Sequence, residues 1–292
     1  MKRNFIIGDE WLYYKIYCGP KTADEILIQI VKPLTEKLFL DRVIDKWFFI
    51  RYADPKKHLR VRFHYNQTEN ILVIINTINK LIKPYVEQNL VNNILIETYK
   101  RELERYGNDS IELAEELFFY NSQMIIDFIS LIEGYEGEII RWLFALRAID
   151  QLLEDFGFTD FKKLELLYVL KEGFGNEFGM NKSLKLQLDK KFRDNREKIN
   201  NIFKNRYESE DIGVIINLLK RKSNESKNVI QEILKREKET RLEKPLNDLL
   251  GSYIHMLMNK LFKSKQRIHE MVIYDFLYRY YKSEIAKKEY YY

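Results

Sequence analysis

The sequence predicts a helix-rich α+β fold, with an N-terminal, mainly antiparallel β-sheet packed against a C-terminal helical bundle. Three observations lead there. Gly (11) and Pro (5) are scarce in 292 residues, which favours long regular elements over loops. Aromatic and β-branched runs cluster in residues 1–108, and helical apolar periods dominate residues 109–292. No repeat or linker divides the two parts, so one domain over 1–292 is expected.

Residues 11–17, WLYYKIY, form a strand that ends at the turn Cys18-Gly19-Pro20, and a helix follows over 22–40. Residues 47–52 (WFFIRY) and 58–65 (HLRVRFHY) are two β-rich runs joined by an Asp54-Pro55 turn, which reads as a hairpin or a strand–loop–strand. In the second run, alternation puts Leu59, Val61, Phe63 and Tyr65 on one face and His58, Arg60, Arg62 and His64 on the other. A helix over 67–83 and a strand over 95–99 complete this half.

Asp109 with Glu112 resembles a capping box that opens a helix running to residue 132. Helical periods recur over 137–156, 160–171 and 180–207, with residues 173–179 read as an interhelical loop. Residues 220–244 carry charges of both signs and suggest exposed helix faces around a polar turn.

Composition narrows the function classes. Hydrophobic residues at 46% and charged residues at 32% exclude disorder, and a net charge of +5 is a weak footprint for direct nucleic-acid binding. No apolar run approaches the roughly 18 residues of a membrane span, and Gly8, Asp9 and Glu10 break the N-terminal run before signal-peptide length. A cytoplasmic protein is the expectation. A single cysteine, Cys18, excludes an intrachain disulfide and a multi-thiolate zinc site. His58 and His64 stand about 20 Å apart on one strand, too far to share a metal. The phosphate loop, dinucleotide fingerprint and nucleophile elbow are missing, so no cofactor is expected.

Four groups of residues carry candidate chemistry. Arg60 and Arg62 share a strand face with α-carbons about 6–7 Å apart, and two guanidinium forks suit a dicarboxylate. The plainer reading is the wet face of an edge strand. Glu102 and Arg105, three apart, make either a surface ion pair or part of a site. His255 belongs to a polar line with Asp248, Ser252 and Asn259 on a helix whose other face is apolar. It is either a general acid or base, or a structural histidine. Cys18 lacks a basic neighbour that would activate it and reads as structural.

Five segments in this order, WLYYKIYCGP, KWFFIRYADPKKHLRVRFH, TYKRELERYGND, RWLFALRAIDQLLEDFGF and GSYIHMLMNKLF, resemble the C-terminal domain of class I lanthipeptide dehydratases, the thiopeptide-type bacteriocin biosynthesis family. The likeness spans essentially the whole chain. It implies a lyase that eliminates glutamate from glutamylated Ser or Thr of a ribosomally made precursor peptide, leaving dehydroalanine or dehydrobutyrine. A separate glutamyl-tRNA-dependent glutamylation protein is the implied partner, with a cyclase beside it, and no metal or cofactor is implied. The family's elimination residues fall on Arg60, Arg62, Arg105 and His255 as catalytic groups, with Glu102, His58 and Arg51 on the substrate side. Lys260 replaces a common family arginine, keeping the charge but not the fork. Two alternatives remain: a thiopeptide-type [4+2] heterocycle-forming cyclase, and a non-catalytic peptide-binding subunit.

Overall fold

Alternating aromatic and β-branched residues build a four-stranded antiparallel sheet in the order β3-β4-β2-β5. Its strands are β2 (Trp11–Cys18), β3 (Lys46–Ala53), β4 (Lys57–His64) and β5 (Val91–Glu97). A two-stranded ribbon pairs β1 (Asn4–Phe5) with β6 (Tyr99–Lys100). The coordinates are a computed structural model that describes residues 1–132, 134–204 and 210–290.

β4 is therefore an interior strand, and the wet-edge reading of Arg60 and Arg62 does not hold. Both faces of β4 are covered: Leu59, Val61 and Phe63 face one layer of the core, and on the other face His58 and Arg62 are also buried. Sequence alternation alone could not distinguish a polar face in water from one covered by aromatic rings.

The helix expected over 22–40 is α1 (Pro20–Ile26), a π-helical turn (Leu27–Val31) and α2 (Lys32–Leu40). α3 (Asn70–Glu87) and the one-turn α4 (Leu103–Tyr106) finish the first half. The strand expected over 95–99 is displaced: β5 begins at Val91 and β6 takes Tyr99.

The helical half comprises α5 (Ile111–Leu131), α6 (Gly134–Asp155), α7 (Asp160–Glu177), α8 (Lys182–Phe203), α9 (Glu210–Lys238), α10 (Leu246–Leu261) and α11 (Gln266–Tyr290). Three expectations need correction. The capping box does not form, because Ser110 rather than Asp109 is the N-cap of α5 and its hydroxyl donates to the Tyr106 carbonyl. Residues 173–177 of the loop expected at 173–179 are the last part of α7. Leu166, Leu170 and Phe174 extend its apolar stripe, Phe174 packs edge-on against Tyr274 at 5.1 Å, and the chain turns only at Gly179, where φ is +61°. α9 runs unbroken through the expected polar turn: Ser226 is fully buried and donates to the Lys222 carbonyl, while buried Lys222 reaches Asp155 at 3.3 Å. The expected helix end at 205–207 lies outside the described residues.

Among the described residues, the main hydrophobic core extends from Phe5 to Tyr281. Phe48 of β3 meets Phe118 of α5 at 5.5 Å, and Tyr106 of α4 stacks on Tyr253 of α10 at 6.0 Å. These contacts tie the sheet to the bundle where the polar residues gather. Among the described residues, no helix is long and apolar enough to cross a membrane.

Candidate functional site

The polar line on α10 is aimed at two different structures. Asn259 pairs with the outer edge of β3: its Oδ1 accepts from the Arg51 amide at 2.8 Å and its Nδ2 donates to the Arg51 carbonyl at 2.7 Å. One turn earlier, His255 Nδ1 meets Glu270 Oε1 of α11 at 2.8 Å. Glu270 is fully buried, whereas the His255 side chain keeps 25% of its surface exposed. A neutral ring that donates through Nδ1 presents Nε2 as its basic nitrogen, and the carboxylate fixes that tautomer.

His255 lines a cleft of about 570 Å³ together with Arg105, Asp248, Ser252, Arg267 and Tyr274. Arg105 pairs with Glu102 at 3.4 Å, and both side chains are substantially exposed, so the pair holds Arg105 only weakly. Glu102 also lines a narrow crevice of about 20 Å³ with Arg62, Tyr106 and Met256. The Glu102–Arg105 pair and adjacent α10 residues thus join the crevice of Arg62 to the cleft of His255.

Arg62 is the most unusual residue in the group. Its guanidinium lies over Tyr13 (4.4 Å), Tyr99 (4.7 Å) and Phe48 (5.0 Å), the first and last being its register partners on β2 and β3. Its Nε and Nη1 are buried without a hydrogen-bond partner, and among the described residues no carboxylate lies within ion-pair distance. Burial pushes its pKa down from the ordinary arginine value. Tyr99 is locked beneath it by donating to Glu115 Oε1 at 2.7 Å, and Arg101 clamps that carboxylate at 2.8 and 2.7 Å. Lys260, also fully buried, donates to the Phe118 carbonyl at 2.9 Å; burial first, and Arg62 second, hold its amine well below the ordinary lysine value.

Arg60 shares the face of Arg62, but its guanidinium is turned elsewhere, over the Tyr52 ring at 3.5 Å. Its Nε donates to His58 Nε2 at 3.1 Å, and His58 Nδ1 bonds to the Lys56 carbonyl at 2.9 Å. The two forks therefore diverge rather than form one jaw. Arg51 belongs to the opposite face, pairing with Leu59 in register, where it bonds to Asp24 at 2.5 Å and the Lys260 carbonyl at 2.9 Å. Of the expected residues, the structure groups Arg62, Glu102, Arg105 and His255, places Arg60 beside them, and sets His58 and Arg51 around a separate small cavity. Cys18 is buried, and burial pushes its thiol up to about 11, as suits a structural thiol.

Glu270 is the residue that sequence reasoning missed. Its signal was an acid on a buried stripe: Glu270, Ile273, Tyr274 and Leu277 follow one another at i, i+3, i+4 and i+7, and all are buried. The cage of Arg62 was also readable, since the hairpin register sets Phe48 opposite Arg62.

The model for the C-terminal domain of lantibiotic biosynthesis dehydratases matches residues 11–281. The chain belongs to that family. The subtilin biosynthesis protein SpaB of Bacillus subtilis is 25% identical over 268 residues, covering 91% of this chain and 25% of SpaB. The tRNA-dependent lantibiotic dehydratase MibB of Microbispora sp. 107891 shares the fold with a TM-score of 0.70 at 20% identity, over 96% of this chain and 29% of MibB. The pyridine synthase TbtD, from thiomuracin biosynthesis, shares it with a TM-score of 0.63 at 11% identity, over 95% of this chain and 99% of TbtD. This member of the lantibiotic dehydratase C-terminal family therefore spans about a quarter of the length of SpaB, yet nearly the whole of TbtD.

Proposed function

We propose that this chain is the glutamate-eliminating component of a lanthipeptide dehydratase, acting in the cytoplasm on a ribosomally made precursor peptide that a glutamyl-tRNA-dependent partner has glutamylated, with a cyclase downstream. The observation that carries this reading is Arg62: a buried guanidinium with unused donors, joined through Glu102 and Arg105 to a histidine oriented by Glu270. A carboxylate-bearing substrate supplies what Arg62 lacks.

In the proposed step, His255 Nε2 takes the α-proton of the glutamylated Ser or Thr. The electron pair forms the Cα=Cβ bond, the Cβ–O bond breaks, and glutamate departs as a carboxylate carrying the ester oxygen. Arg62 and Arg105 bind the glutamyl group and stabilise the departing charge, and Arg60 is the next cation along the same sheet face. Glu102 orients Arg105 or takes a substrate amine. A positioned base of this kind is worth about 10²–10⁴-fold in rate.

The likeness to TbtD over 99% of its length supports a second reading, formation of a six-membered nitrogen heterocycle by [4+2] cyclisation. Elimination is favoured because ring closure between two dehydroalanines offers Arg62 no carboxylate. Two peptides separate the readings, one bearing a glutamyl ester and one bearing two dehydroalanines. Glutamate release from the first supports elimination, ring formation from the second supports cyclisation, and binding without conversion of either supports a non-catalytic subunit.

A further inference from the structure

On the other side of Asn259 from His255, the segment between α10 and α11 and the turn end of the β3–β4 hairpin enclose a second cavity of about 180 Å³. Four cations line it, Arg51, Lys57, Lys263 and Lys265, and no acidic residue does. Its floor is apolar, formed by Cys18, Ala23, Leu59 and Phe262.

Arg51 is only 8% exposed, and its Nη1 is buried without a hydrogen-bond partner. The charges around it are incompletely balanced. Asp24 is shared by Arg51 at 2.5 Å, Arg141 at 3.0 Å and Lys263 at 3.5 Å. Glu138 assists Arg141 and Lys263, at 3.7 and 2.8 Å, so these two carboxylates face three cations before Lys57 and Lys265 are added. A buried cation without full compensation is unfavourable, and an anion in the cavity beside Arg51 reduces that deficit. The apolar floor selects an anion with a hydrocarbon body over inorganic phosphate.

We propose that this cavity binds a small organic carboxylate, held by the cations that line it with its hydrocarbon part on the floor, and that occupancy is sensed at His255. The link is Gln266, which lines the cavity while its Nε2 donates to the His255 carbonyl at 3.3 Å and Glu270 Oε1 at 3.2 Å, and stands 3.2 Å from His255 Nδ1. Asn259 completes it, holding the Arg51 backbone on one side and donating to Gln266 Oε1 at 3.0 Å on the other. A ligand that moves Gln266 alters the hydrogen bonds of the ring and of the carboxylate that orients it.

The test uses saturation-transfer NMR on the full chain with butyrate as the observed ligand and inorganic phosphate added as its competitor, while the His255 ring resonances are followed. Butyrate is expected to bind at millimolar concentration and shift the ring, phosphate to bind at least roughly tenfold more weakly. The exposed double variant Lys57→Glu/Lys265→Glu should lose butyrate while keeping its melting temperature, and Arg105→Ala should keep it. No transfer to butyrate, equal binding of phosphate, an unmoved His255 ring, or loss of butyrate in Arg105→Ala but not in the lysine variant would each overturn the proposal. None of these readouts depends on glutamate elimination.

Discussion

The side-chain amide of Asn259 acts as an added rung of the sheet at Arg51, accepting from its N–H at 2.8 Å and donating to its carbonyl at 2.7 Å. β3 is an edge strand, and this pair closes its edge while fixing the rotation of α10 against the sheet. The rotation in turn aims His255, one turn away, at Glu270.

Asn259→Leu should therefore leave two strand groups unpaired and destabilise the protein by about 1–3 kcal/mol, measured by urea unfolding. Because α10 loses its register, activity should fall as well. A variant of unchanged stability would show that the rung does not hold α10.

Glu270→Gln keeps the volume but removes the charge that fixes the His255 tautomer. The rate of elimination should fall by roughly 10²-fold or more with little change in KM. A tenfold rise in KM at constant kcat would assign Glu270 to substrate binding instead.

Arg62 pits function against stability. With its Nε and Nη1 buried and unpartnered, Arg62→Met should leave the melting temperature unchanged or raise it, while abolishing glutamate release. A large loss of stability would mean that the aromatic cage needs the cation.

Acid should weaken the fold through His58. Burial holds its imidazole below the ordinary 6.5, so the unfolded chain takes up a proton near that pH that the folded chain resists. This contribution is complete above the ordinary value and is lost as pH falls through it. Urea unfolding at pH 7.5 and 5.5 should show a larger loss for the wild type than for His58→Gln, and equal losses would contradict the assignment.

The fold class was legible because the two periods separate cleanly along the chain. The hairpin was legible too, because the Asp54-Pro55 turn joins two β-rich runs, and its observed register sets Phe48 of β3 opposite Arg62. What periodicity could not show is which polar residues are covered. Arg62 on a charged strand face, Lys222 in a charged helix and Glu270 beside His269 look solvated in one dimension, and each is buried by an element distant in sequence. The overextended loop at 173–179 has a different cause: Gly173 and Gly175 read as breakers, but the stripe ending in Phe174 finds Tyr274 and outweighs a glycine cost of about 1 kcal/mol each.

The proposed elimination rests on His255 as the base for the α-proton and on the caged arginine as the holder of the glutamyl group. Its most direct test is release of glutamate from a glutamylated peptide, followed by mass spectrometry for the wild type and for His255→Ala. The wild type should give stoichiometric glutamate and a dehydrated peptide, and the variant a rate lower by about 10²–10⁴-fold. Full turnover by His255→Ala would contradict it.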